Sequence, residues 1–209
     1  MVSRLHVAAI WGLSAAVVGL VALLAAALDR PVAFLTRDPA AAVRNGECST
    51  ECFYAGLLSN LGVLVLVTAS VSTGLVAYAL PRSRAPHRVP LAWGCAMLAL
   101  LVVDDLFGLH DHLAPTYVPQ GEKLVQLGIG IAALAWVVAF RRLVVDSGLG
   151  LLVAGTAVAY VISSGTDAFG VGGHLLEDGA KFVGIVSLAA FFVTLAVREV
   201  RNAVAAPLP

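Results

Sequence analysis

The sequence predicts an all-α, polytopic membrane protein: a single domain over residues 1–209, built as a bundle of six transmembrane helices. Three observations carry that expectation. Of the 209 residues, 60% are hydrophobic and 12% charged, against about 25% charged in a soluble domain. The apolar residues fall in six runs near the ~20 residues that a helix needs to cross a bilayer. Those runs are continuous rather than alternating, which suits helices and not a closed β-barrel. No basic tract or aromatic-basic interleaving is present, so no nucleic acid is expected as a partner; membrane lipid is.

The predicted spans are about 7–28, 57–80, 91–112, 121–141, 148–168 and 173–197. The first follows a basic start at Arg4, as a signal peptide would. Its run from Val7 to Leu28 exceeds a typical signal core of ~7–15 residues, so it reads as a retained span. Between spans one and two lies a long loop, 29–56, with Pro31, Pro39 and the turn pair Asn45-Gly46. Cys48 and Cys52 sit in that loop, where a local disulfide, free thiols and metal ligation all fit. Pro81, Pro86 and Pro90 punctuate the next connection, and Pro115 and Pro119 the one after. Asp146-Ser147-Gly148 ends span four, while Gly170, Gly172 and Gly173 separate spans five and six. Cys95 in span three is expected to be a packing residue, and His6 and His87 are expected at the surface.

Orientation follows from Lys and Arg. With the N-terminus inside, Arg4, Arg82, Arg84, Arg88, Arg141, Arg142, Arg198 and Arg201 are cytoplasmic, most of the thirteen basic residues. Only Asp146 and Glu199 of the thirteen acids share that side. Six spans return the C-terminus to the cytoplasm. The expected location is therefore the cell (cytoplasmic) membrane of a bacterial-type cell, with both termini inside.

In that frame the polar residues converge on the extracytoplasmic side. Asp104, Asp105, His110, Asp111 and His112 end span three; Glu122 opens span four and Asp167 closes span five. His174, Glu177, Asp178 and Lys181 open span six, and Ser59 and Asn60 open span two. Ionisable groups at membrane depth are costly and mark a functional site by default. At about 100° per residue, Asp104, Asp105, Asp111 and His112 share an arc of about 120°, with His110 on another face unless the helix frays before Pro115. His174, Glu177, Asp178 and Lys181 share an arc of about 100°, and Tyr160 and Ser163 join Thr156 and Asp167 in a polar stripe. Asp104 and Lys181 each lie roughly 10–12 Å below the outer end of their helix, so Asp104 or Asp105 is expected to face Lys181. Carboxylates at a helix C-terminus meet its negative pole and need a positive partner, whether a Lys or a metal ion.

The donor types suit a divalent metal, zinc above all. The expected ligands are Asp104, His112, His174 and Asp178. In a hydrolytic reading the metal lowers the pKa of a bound water towards ~7. Asp105 or Glu177 would then be the general base, with Lys181 or Ser163 steadying the oxyanion. His110, Asp111, Glu122, Asp167, Asn60 and Tyr160 complete the expected pocket. An interhelical charge network without metal fits the same residues, as does a proton or cation path.

The run Val103–Asp111 (Val-Asp-Asp-Leu-Phe-Gly-Leu-His-Asp), with Leu58–Val63 and Glu177–Ile185, resembles an uncharacterised group of bacterial multi-span membrane proteins. A more distant likeness is to the alkaline ceramidase and adiponectin-receptor superfamily of membrane hydrolases. Glu51, Ser59 and Asn60 match an acidic residue and a Ser-Asn pair that open an early span there, and Asp104 or Asp105 could match its Asp. The resemblance implies a zinc site of three histidines. The chain departs from it with His174-x-x-x-Asp178 in place of His-x-x-x-His, with no Ser-x-x-x-His, and with six expected spans instead of seven. The expected function is a metal-dependent hydrolase of a lipid or lipid-linked substrate. A proton, cation or small-solute pathway and a non-catalytic accessory subunit are the alternatives.

Overall fold

The computed structural model describes residues 4–37, 39–44, 46, 54–80, 87–169 and 173–205, with backbone only at 40, 41, 44, 111, 167 and 168. Cys48, Cys52 and Glu51 lie outside the described residues, as do the side chains of Asp111 and Asp167. Every regular element among the described residues is helical. They are α1 (Arg4–Ala27), α2 (Val32–Thr36), α3 (Pro39–Arg44), α4 (Leu57–Ala79), α5 (Arg88–Phe107), a π-helical turn (Leu109–Leu113), α6 (Ala114–Tyr117), α7 (Gly121–Ala139), α8 (Arg141–Asp146), α9 (Gly150–Phe169) and α10 (Gly173–Ala205).

Five of these, α1, α4, α5, α7 and α10, are long and apolar enough to cross a membrane. The expected fifth span is a helix too, α9, 20 residues long and apolar from Gly150 to Thr166. The predicted boundaries match within a few residues except at the ends of the third and the sixth, where α10 runs on past 197 to Ala205. The third span was expected to reach His112; α5 instead stops at Phe107, because Gly108 takes the left-handed conformation (φ 57°, ψ 48°). Glycine pays no Cβ penalty there and ends helices at this position. The long loop also holds more structure than expected. The apolar pentad of α2 buries Phe34, Leu35 and Thr36, and Pro39 opens α3, where its missing N–H costs nothing.

The chain forms two compact units. Unit one comprises residues 1–65 and 151–188, and unit two comprises 66–150 and 189–209. In unit one, Val21 and Ala25 of α1, Phe34 and Leu35 of α2, Leu58 of α4 and Phe182 of α10 form a buried core. Phe34 meets the Tyr54 ring edge-on at 5.5 Å. Trp11 of α1 donates its indole N–H to Ser187 Oγ of α10 at 3.1 Å. Thr156 Oγ1 donates to the Gly184 carbonyl at 3.2 Å, and the Tyr160 ring packs where a Gly184 Cβ would stand. The polar stripe of α9 thus seats that helix on α10.

In unit two the centre is aromatic. Trp136 is buried against Phe191 and Phe192, with ring centroids 5.6 and 5.1 Å away. Its indole N–H donates to the Pro90 carbonyl at 3.1 Å, which satisfies its one polar atom. Gly94 leaves the space that the Phe192 ring fills; a Cβ there would lie 2.1 Å from it. Cys95 is a free thiol, and its carbonyl accepts the Ser70 hydroxyl at 3.1 Å.

Candidate functional site

The end of α5 carries the most tightly held ionisable pair. Asp104 is 5% exposed. The Gly108 N–H bonds back to the Asp104 carbonyl, and the chain then turns through the π-helical segment, with His112 N–H and Leu113 N–H both on the Gly108 carbonyl at 2.8 and 3.0 Å. That turn carries His110 back over α5. Its backbone N–H donates to Asp104 Oδ1 at 3.0 Å, and its ring Nδ1 lies 2.8 Å from Asp104 Oδ2. The expectation that His110 points to another face is thereby corrected. The angle per residue that supported it holds only for an unbroken helix, and the left-handed Gly108 and the wider π turn break it.

The protonation geometry follows. An ionised Asp104 only accepts, so opposite it the imidazole Nδ1 is the donor. Two N–H groups also supply the positive partner that a carboxylate at a helix C-terminus requires. Asp104 belongs to unit two and Lys181 to unit one; Asp104 takes its partner from His110. The His112 ring packs on Gly108, where an added Cβ would come within 2.6 Å of it. Asp105 is half-buried, and Glu122 is half-buried in the first turn of α7.

In unit one, His174, Glu177, Asp178 and Lys181 lie on the first turns of α10, as the spacing predicts. Two residues that the sequence reading passed over join them. Arg37, just past α2, brings NH2 to 3.0 Å from His174 Nδ1. A guanidinium only donates, so Nδ1 accepts and the His174 proton sits at Nε2. Glu177 Oε2 lies 3.6 Å from the same Nδ1, too far for a hydrogen bond. Thr36, 2% exposed, stands beside the Asp178 carboxyl. Thr36 Oγ1 and Asp178 Oδ2 are both buried there, neither with a well-aligned hydrogen bond among the described residues. Ser163 is buried and its carbonyl accepts from Thr166 Oγ1 at 2.7 Å. Asn60 is exposed and reaches only the Ala55 carbonyl, at 3.5 Å.

The opposite face of α10's first turns lines an apolar cleft of about 730 Å³ with α1 and α9. Gly155, Gly179 and Ala180 line it, and Trp11 and Val18 form its α1 wall, packed against the two glycines.

A further pair was not expected. His87, read from the sequence as a surface residue, precedes α5 and places Nδ1 2.7 Å from Glu199 Oε1 of α10. The side chains are 38% and 1% exposed. Glu199 Oε2 is buried without a partner among the described residues. The signal available in the sequence was a lone acid, Glu199, in an otherwise basic terminal stretch.

The expected zinc ligands divide between the units, Asp104 and His112 in one, His174 and Asp178 in the other. Among the described residues no group of three or more His, Cys, Asp or Glu side chains comes together to hold a metal ion.

Among the described residues, five long apolar helices suggest a membrane-embedded, multi-pass helical protein. Residues 12–195 match the family described as "Domain of unknown function (DUF8692)", and the chain belongs to it. No curated protein and no solved structure matches the chain. The family match brings no activity with it, and the likeness to the ceramidase superfamily has no counterpart among the matches.

Proposed function

We propose that the protein is a membrane-embedded hydrolase of a lipid or lipid-linked substrate, with His110 as the proton-accepting group and Asp104 as the residue that orients it. The observation that carries this reading is the two-point hold of Asp104 on His110, at 3.0 and 2.8 Å. A carboxylate that orients an imidazole through Nδ1 is the arrangement that activates water or a hydroxyl in acyl transfer. The pair is almost fully desolvated, with side chains 12% and 7% exposed, which strengthens its electrostatics. Lipid is the substrate class because the site ends a helix long and apolar enough to cross a membrane. In the orientation that the basic residues favour, six spans place both termini in the cytoplasm and this site at the extracytoplasmic face of the cell membrane.

Nε2 of His110 is the atom at which a zinc ion would attach. Zinc needs two further protein ligands, and the described side chains supply no such set; the base role asks for none. The test is turnover of phospholipids and polyprenyl-linked phosphates by the full chain in lipid nanodiscs, with metal content measured on the same sample. Hydrolysis lost in His110→Gln supports the reading. Hydrolysis unaffected by that change, or absent from the wild-type chain across both lipid classes, overturns it. Stoichiometric zinc that His110→Gln removes would restore the metal form of the mechanism.

A further inference from the structure

The His87–Glu199 pair is not used by the proposed chemistry, and its geometry is that of a connection between water and a buried acid. Glu199 is 1% exposed; His87 is 38% exposed along its side chain and meets Glu199 at 2.7 Å. The imidazole therefore has one nitrogen, Nδ1, on the buried carboxyl, while the ring reaches solvent. Imidazole can take a proton at one nitrogen and release one from the other. Glu199 Oε2 has no donor among the described residues, and an ionised carboxylate buried with one oxygen unsatisfied is costly. A neutral acid removes that charge.

We propose that His87 relays protons between the aqueous phase and Glu199, making the pair a proton-binding site. A proton arriving at Nε2 is matched by departure of the Nδ1 proton to Glu199 Oε1. The products are a neutral imidazole of the opposite tautomer and a neutral carboxylic acid, which donates to Nδ1. The reverse transfer releases the proton, so the pair gains or loses one proton and no other bond changes. The charged groups on the neighbouring elements are Arg88 on α5, Asp146 at the end of α8, and Arg198 and Arg201 on α10. Arg198 donates from one guanidinium nitrogen to the Ser147 carbonyl at 2.6 Å. Asp146 and Arg201 are exposed. His87 is thus the polar route that the described residues give Glu199. The relay stands at the opposite end of α5 from Asp104 and does not depend on the hydrolytic reading.

Infrared difference spectroscopy on the full chain in nanodiscs tests this. A protonated-carboxyl C=O band should appear as pH falls and vanish in Glu199→Gln, while persisting in Asp104→Asn as a control. After transfer to D₂O, exchange of that band should slow at least about tenfold in His87→Gln, which keeps a hydrogen-bonding side chain but cannot relay. A band that survives Glu199→Gln shows that Glu199 binds no proton and overturns the proposal. Equally fast exchange in His87→Gln also overturns it. Should His87→Gln fail to fold, ring nitrogen shifts of ¹⁵N-labelled His87 in the wild type decide. They must switch tautomer with the carboxyl band, and a fixed tautomer overturns the relay.

Discussion

The two ends of α5 carry the same chemical pair put to different use. At one end Asp104 meets His110 within a stretch of seven residues, and both carboxylate oxygens accept an N–H. At the other, Glu199 meets His87 from 112 positions away and uses one oxygen, while Oε2 has no partner among the described residues. The first pair is held in orientation and the ring cannot turn without losing a bond. The second leaves a buried acceptor for which a proton is the simplest remedy. A carboxylate held at two points fixes the ring's orientation; a carboxylate held at one can exchange a proton. Full satisfaction of buried polar groups rigidifies them, and partial satisfaction leaves them poised.

The largest effect should come from the held pair. His110→Gln is expected to lower turnover by about 10²–10⁴-fold, the usual contribution of a positioned general base, read as kcat on a lipid substrate in nanodiscs. Retained turnover would break the contrast by making Asp104–His110 purely structural. Next in size is His87→Ala. It strips Glu199 of its one described partner and should cost about 1–3 kcal/mol of stability, the penalty of leaving a buried acceptor unmatched; denaturant titration in mixed micelles measures it. A loss within 0–1 kcal/mol, about what an exposed pair contributes, would show that the Glu199 end is as solvated as any surface.

The two amide substitutions give the sharpest contrast. Asp104→Asn puts an NH₂ where an N–H already points, and should cost about 1–3 kcal/mol for the mismatched donor. Glu199→Gln keeps an acceptor for His87 and changes only the unmatched oxygen, so a loss below about 1 kcal/mol is expected. Equal losses in the two would erase the difference between a two-point and a one-point hold. Smallest on the pairs themselves is Gly108→Ala, which must place a Cβ at φ 57° and within 2.6 Å of the His112 ring. A left-handed non-glycine residue costs about 1–2 kcal/mol, and the ¹⁵N shift of His110 Nδ1 should report whether the turn still delivers the ring to Asp104.

Much of the fold was legible because apolar run length and punctuation are local. Gly148 (φ 67°) ends α8 where Asp-Ser-Gly was read as a break, and the helices begin and end near the predicted positions. The α5 terminus was also locally encoded, since Gly108 follows Asp-Asp-Leu-Phe, but its consequence was not drawn. A helical wheel assumes one uniform twist, and one left-handed residue resets the direction of all that follows.

Sequence alone therefore determined that the chain is helical and membrane-spanning in character, and that its ionisable residues gather at helix ends, because the cost of charge in hydrocarbon acts residue by residue. It also marked the Asp104–His112 and His174–Lys181 stretches. Only the tertiary structure decided which carboxylate meets which histidine. Arg37 reaches His174, and Glu199 reaches His87, through contacts 137 and 112 positions long. Such pairings depend on which helices pack together, and hydrogen bonds short enough to fix a tautomer are settled over less than an ångström, a scale that periodicity does not resolve.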